Sequence, residues 1–329
     1  MYFLTLLKAL ATLIVMHSHC DELLPIPALA TGGSIEDSFF FAVSGFALYY
    51  SVDKEAGDYF KKRVLRVYPA IVIGTLIVMM VMSGVPDFKM ICKFNDFTLF
   101  GAVKTFLFPT NYHFISAILV LYIIYFVCLH NRGVQKNRIL IGVMIALACA
   151  YAIAYLTYLD TSKWSIESEP FKYLYWAMAF IVGGLCRGYY DNLKDLVSDK
   201  KKMFGICSGI LFALFYAVKL LLAKLQLMQF QFVIQIIELL FLFCFIVWLI
   251  GYEERLKKYS EGRLWKAVDF LGSITLENYL FMDMVIMIMY TNQIPFPINW
   301  ILVFPVTFIF SFILHQTVRL IEKRLLKIN

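Results

Sequence analysis

Lys8 and His19 are the residues of this chain best placed to do chemistry. Both lie in the run Lys8-Ala-Leu-Ala-Thr-Leu-Ile-Val-Met-His17-Ser-His19, inside an apolar segment that begins at Met1. A cation and two imidazoles inside a membrane-type helix are costly to bury, which makes them functional candidates by default. Helix geometry sorts them. At about 100° per residue, the steps from Lys8 to His19 turn the chain by roughly three full turns, so both point the same way, about 16 Å apart along the axis. His17 falls on the opposite face. A cation at one depth can meet a phosphate or polarise a carbonyl. An imidazole at another depth can take a proton from a hydroxyl near neutral pH. The bland alternative is a lysine that snorkels to a helix end and two histidines near the far interface.

Two further groups could assist. Arg63 and Arg66, in Lys61-Lys62-Arg63-Val64-Leu65-Arg66-Val67-Tyr68-Pro69, share a face if a helix begins there. Paired guanidiniums suit a phosphate or pyrophosphate; plain topology-setting charge is the alternative. Ser44-Gly45, in the run Ser38 to Phe46, lets two helices approach closely, and packing glue is the simpler role for Ser44. No Gly-x-Ser-x-Gly is present to make it a nucleophile. Glu277 and Glu238 are candidate carboxylates to orient His19 through Nδ1, Glu277 before Glu238. Gln235 shares a helix face with Glu238, and Asp283 lies only loosely on the face of Glu277.

These groups need a membrane scaffold, and the composition supplies one. Of 329 residues, 61% are hydrophobic and 16% charged, against about 25% charged in a soluble domain. Mean hydropathy is +0.75. Ten apolar stretches read as membrane helices, roughly 3–22, 34–51, 67–84, 113–130, 139–158, 171–187, 204–223, 229–250, 268–290 and 297–318. The stretch 85–112 is too polar to span and reads as a loop with a short interfacial helix around Phe97–Phe108. Most of the 30 basic residues fall in one set of loops, among them Arg63, Arg132, Lys201, Lys258 and Lys323. That asymmetry places both termini in the cytoplasm. It also accounts for the net charge of +7 without nucleic acid. The seven cysteines have no metal-like spacing and read as small hydrophobes; Cys20 and Cys92 both fall toward the outer face, which leaves a bridge between them open. The first segment lacks a basic n-region and a cleavage site, and reads as a retained helix. The expected fold is all-α, one polytopic transmembrane bundle of about ten helices forming a single domain over 1–329.

Taken in order, three pieces resemble the membrane-bound acyltransferase type 3 family: Lys8 with ten residues before His19, the run Phe40 to Phe46 with its Ser-Gly-Phe, and Arg63-x-x-Arg66-Val-Tyr-Pro. Tyr112-His113-Phe114-Ile115-Ser116-Ala117 is similar to the family's Trp-Phe-Ile-Ser-Ala segment, with His113 where Trp is usual. Leu271 to Leu280 is similar to its late Gly-x-hydrophobic-Ser-Leu-Glu-x-Tyr-Leu helix. That helix often ends in His; this chain has Met282.

The resemblance implies an O-acyltransferase of the bacterial cytoplasmic (inner) membrane. It would move an acyl group, usually acetyl from acetyl-CoA, to a hydroxyl of a cell-surface polysaccharide such as an exopolysaccharide, or of its lipid-linked precursor. His19 becomes the essential histidine of the first-helix motif and Lys8 its cationic partner. Arg63 and Arg66 become the arginines assigned to the CoA phosphates, with Lys8 and Ser44 also on the donor. His113 and Glu238 are candidates for the acceptor, and no metal is expected. Expected partners are membrane lipid and the glycan acceptor, a homodimer being allowed. Direct transfer and a transient acyl-His both stay open. A non-enzymatic transporter or flippase of glycan or lipid precursors is the rival, though inverted repeats with matching broken helices are not seen. A membrane polymerase or glycosyltransferase would call for longer outer loops.

Overall fold

A computed structural model describes residues 1–31, 35–83, 98–107, 109, 112–165 and 168–326. Among them there is no strand. The helices are α1 (Tyr2–Ser18), α2 (Ile35–Leu48), α3 (Ala56–Met82), α4 (His113–Leu129), α5 (Lys136–Tyr158), α6 (Phe171–Gly188), α7 (Tyr190–Ser198), α8 (Lys201–Leu225), α9 (Phe232–Ile250), α10 (Glu253–Tyr259), α11 (Arg263–Ser273), α12 (Thr275–Thr291) and α13 (Ile298–Leu326).

Each of the ten apolar stretches contains helix, but five helices among the described residues are long and apolar enough to cross a membrane. The count rises to six if α11 and α12, bent by 74° at one break, form one span. The expectation of a single helix over 268–290 is therefore corrected: the apolar pattern runs straight through Ser273 and Ile274 and hides the bend. Helix α3 also starts earlier than its apolar stretch, because Asp58, Lys61, Lys62 and Arg63 occupy its opening turns. Part of the polar stretch 85–112 is helical, Leu99–Ala102 continued by a π-helical turn Val103–Leu107. Phe97 and Phe108 lie outside the described residues, as does Cys92, so the Cys20–Cys92 pairing does too.

The chain falls into two compact units. Unit 1 is Met1–Ala11, Gly33–Asp53 and Ile124–Val268; unit 2 is Thr12–Gly32, Lys54–Ile123 and Asp269–Asn329. In unit 1, α2 packs along α6, and α6 also touches α5 and α9. The α2–α6 approach is backbone against backbone. A methyl group at Gly45 would collide with Phe180 O, and one at Gly183 would collide with Ala42 O. Tyr125 seals this seam, its hydroxyl donating to Gly45 O at 3.3 Å and its ring lying edge-on to Phe180. Unit 1 also fixes the start of α1. The two oxygens of Glu253 accept from Tyr2 N and Phe3 N, each at 2.9 Å. A carboxylate there satisfies amides the helix cannot pair itself and sits at the positive end of its dipole.

In unit 2, α12 packs on α13 and both pack on α3. Gly74 makes the room: a Cβ there would press on Leu280 and Leu314 at about 3 Å. Thr12, fully buried, donates to Leu271 O at 3.4 Å, one turn before the bend between α11 and α12.

Candidate active site

Helix α1 keeps its phase up to His19. His19 N still donates to Val15 O at 3.2 Å, although regular helix ends at Ser18. The two histidines then go separate ways, as their spacing requires. His17 turns to Thr31, with Thr31 N donating to Nδ1 at 3.1 Å and Thr31 Oγ1 2.9 Å from the same nitrogen. Trp300 lies edge-on to the His17 ring. Bonded this way, Nδ1 of His17 is an acceptor and the ring is a structural brace.

His19 instead meets a carboxylate. Its Nδ1 is 3.2 Å from Asp283 Oδ1, and the side chains are 40% and 64% exposed. A carboxylate at Nδ1 fixes the ring orientation and the tautomer, which makes Nε2 the basic nitrogen. That is the arrangement a general base needs toward an incoming hydroxyl. Cys20, the neighbouring nucleophile type, is fully buried and its thiol donates to Met16 O at 3.0 Å.

The other sequence candidates are distributed as follows. Glu277, expected beside His19, is beside His315 instead: Nδ1 of His315 lies 2.8 Å from Glu277 Oε1, with side chains 17% and 6% exposed. Arg63 is half-buried in α3, its Nη1 donating to Tyr59 O at 2.9 Å and its guanidinium 4.0 Å above the Tyr59 ring. Tyr59 is buried and donates to Tyr122 O at 3.1 Å. Arg66 is exposed one turn further on. Among the described residues, neither guanidinium forms an ion pair. Both arginines thus keep donors available for a phosphate.

His113 opens α4 in unit 2, between Tyr112 and Phe114, whose rings lean on Tyr279. Lys8, Ser44 and Glu238 belong to unit 1. Lys8 is half-buried on α1, and Ser44 is half-buried beside the Gly45 contact. Glu238 is buried on α9, within electrostatic reach of the Tyr151 and Tyr216 phenols. Unit 2 therefore brings together His19 and Asp283, and separately His315 and Glu277. Neither Asp283 nor His315 belongs to a motif that would have selected it. The only prior signal was a charge or an imidazole in an apolar run.

One comparison with known proteins bears on this arrangement. A family model described as an acyltransferase domain, that of acyltransferase type 3, matches residues 1–316. No curated protein matches, and no solved structure does. With that match covering nearly its whole length, the chain belongs to the acyltransferase type 3 family and is a multi-pass membrane acyltransferase.

Proposed function

We propose that this acyltransferase moves an acyl group, acetyl before longer chains, from cytosolic acetyl-CoA to a hydroxyl of a cell-surface polysaccharide or its lipid-linked precursor. Its place is the bacterial cytoplasmic membrane, as a ten-span single domain with both termini inside. The observation that carries this proposal is the His19–Asp283 pair, an accessible imidazole with a carboxylate at Nδ1.

In direct transfer, Nε2 of His19 takes the proton of the acceptor hydroxyl as its oxygen attacks the thioester carbonyl. The new C–O bond forms, the C–S bond breaks, and the histidinium returns the proton to the departing thiolate. Asp283 stabilises the histidinium while it lasts. The alternative is an acyl group carried briefly on Nε2 before the hydroxyl attacks. CoA would bring its own activated thioester. Arg63 and Arg66 are proposed for its phosphates, and the fit is chemical: forked donors on one helix face with no carboxylate partner among the described residues. Lys8 and Ser44 take their donor-side roles from the motifs alone, His113 and Glu238 their acceptor-side roles.

The test uses purified protein and labelled acetyl-CoA. His19→Ala should lower transfer of label to glycan by about 10²–10⁴-fold while leaving acetyl-CoA binding intact, and His17→Ala should leave transfer within a few-fold of the parent. Equal loss or equal retention in the two variants removes the basis for assigning His19 as the base.

A further inference from the structure

Beyond the His19–Asp283 pair, unit 2 holds a cavity of about 470 Å³ walled by Glu22, Met289, Tyr290, Thr291, Gln293 and Asn299. That volume is within the range of small-molecule sites. Glu22, Tyr290, Thr291 and Gln293 are exposed, so the cavity is open, while Leu23 and Met289 are buried beneath it.

Its place along the chain matters. Glu22 follows His19 by three residues. Tyr290 follows Asp283 by seven, which puts it on the same face of α12, about 10 Å further along the axis. The cavity is thus the next feature along α12 from the proposed base, a separation a short oligosaccharide can bridge.

Two devices hold its rim. Asn299, 7% exposed, donates from Nδ2 to Leu23 O at 3.3 Å and accepts from Trp300 N at 2.6 Å through Oδ1. The turn carrying Glu22 is thereby fixed to the start of α13. At the end of α12, Ile294 N closes on Met289 O at 3.2 Å, with Gln293 in the left-handed region at φ 50°. Glycine is the residue favoured at such a position. A long amide side chain therefore stands in the cavity wall from a position that costs backbone energy. Gln226 adopts the same conformation, φ 55°, at the end of α8 in unit 1 and serves as its control.

The lining chemistry defines the ligand. One carboxylate, one phenol, one hydroxyl and two amides supply donors and acceptors, and Leu23, Met289 and Ile294 supply apolar surface. Among the described residues that line it there is no Lys, Arg or His, and Glu22 opposes negative charge. We propose that this cavity is the acceptor subsite and that it takes a neutral, hydroxyl-rich sugar in preference to uronates or phosphorylated sugars. This rests on the glycan acyltransfer proposed above.

The experiment measures acetyl transfer by the full-length protein from labelled acetyl-CoA. The acceptors are oligosaccharides of glucose, galactose and N-acetylglucosamine and the matching glucuronate and galacturonate oligomers, each supplied free and on a polyprenyl anchor. Transfer to the free or only to the anchored sugars tells which source the site serves. Glu22→Ala and Gln293→Gly should each raise the acceptor KM about tenfold, the effect of one lost hydrogen bond, with kcat and the KM for acetyl-CoA unchanged. Gln293→Gly also relaxes the backbone, so its loss of affinity cannot come from misfolding. Gln226→Gly, with the same relaxation, should change no kinetic constant. Parent-like acceptor KM in both cavity variants, or better transfer to uronates than to neutral sugars, overturns the subsite while leaving glycan acyltransfer standing. Transfer to no sugar at all overturns glycan acyltransfer and the subsite with it.

Discussion

Among the described residues, unit 2 contains two histidine–carboxylate pairs made of the same kinds of atom. In one, His19 and Asp283 stand 3.2 Å apart with side chains 40% and 64% exposed; in the other, His315 and Glu277 stand 2.8 Å apart with side chains 17% and 6% exposed. Bond type does not separate them, but surroundings do. The buried pair ties α12 to α13 where neither group can be left alone at low cost. The open pair can meet a substrate and give up or receive a proton. The lesson is that a histidine–carboxylate contact in a membrane protein is read by what can reach it, before its distance is considered.

The largest expected effect tests that division directly. His19→Ala should lower transfer by about 10²–10⁴-fold, the usual contribution of a positioned acid–base group, with little change in thermal stability. His315→Ala should do the reverse, and similar rate losses from both, per folded molecule, would erase the contrast. Next comes the partner carboxylate. Asp283→Asn should cost about 10–100-fold in kcat, as loss of an orienting partner usually does, and Asp283→Glu should restore part of it. Glu277→Gln should instead destabilise by about 2 kcal/mol, the value of a buried hydrogen bond to a charged group, seen as a lower Tm with kcat kept. The smallest effect sharpens the comparison with the other histidine of α1. Thr31→Val should cost about 1 kcal/mol of stability through the lost hydroxyl contact to His17 and leave the transfer rate unchanged, both measurable on the purified protein.

Which parts of this were legible in the sequence follows from what is local and what is not. The opposite destinations of His17 and His19 come from helical period alone, and the structure separates them, one to Thr31 and one to Asp283. The close approach at Gly45 was legible for the same kind of reason, since only a missing side chain permits backbone contact with Phe180. The placement of Arg63 and Arg66 on one helix followed once charged residues were allowed into the first turns of α3. The identity of the carboxylate at His19 was not legible. Glu277 and Asp283 lie six residues apart on one helix, and which of them faces α1 is set by the bend between α11 and α12 and by the competing claim of His315 on Glu277. The bend itself was hidden because Leu271 to Leu280 stays apolar enough to read as continuous helix. The cavity at Glu22 was equally hidden, being assembled from a turn, a helix end and the next helix start.

The grip of Glu253 on the first two amides of α1 has a consequence for biosynthesis. The partners are 251 residues apart. At translation rates of roughly 5–20 residues per second, a ribosome needs on the order of ten to fifty seconds to bring the second into existence after the first. The start of α1 therefore waits for its carboxylate until some 250 further residues have been made.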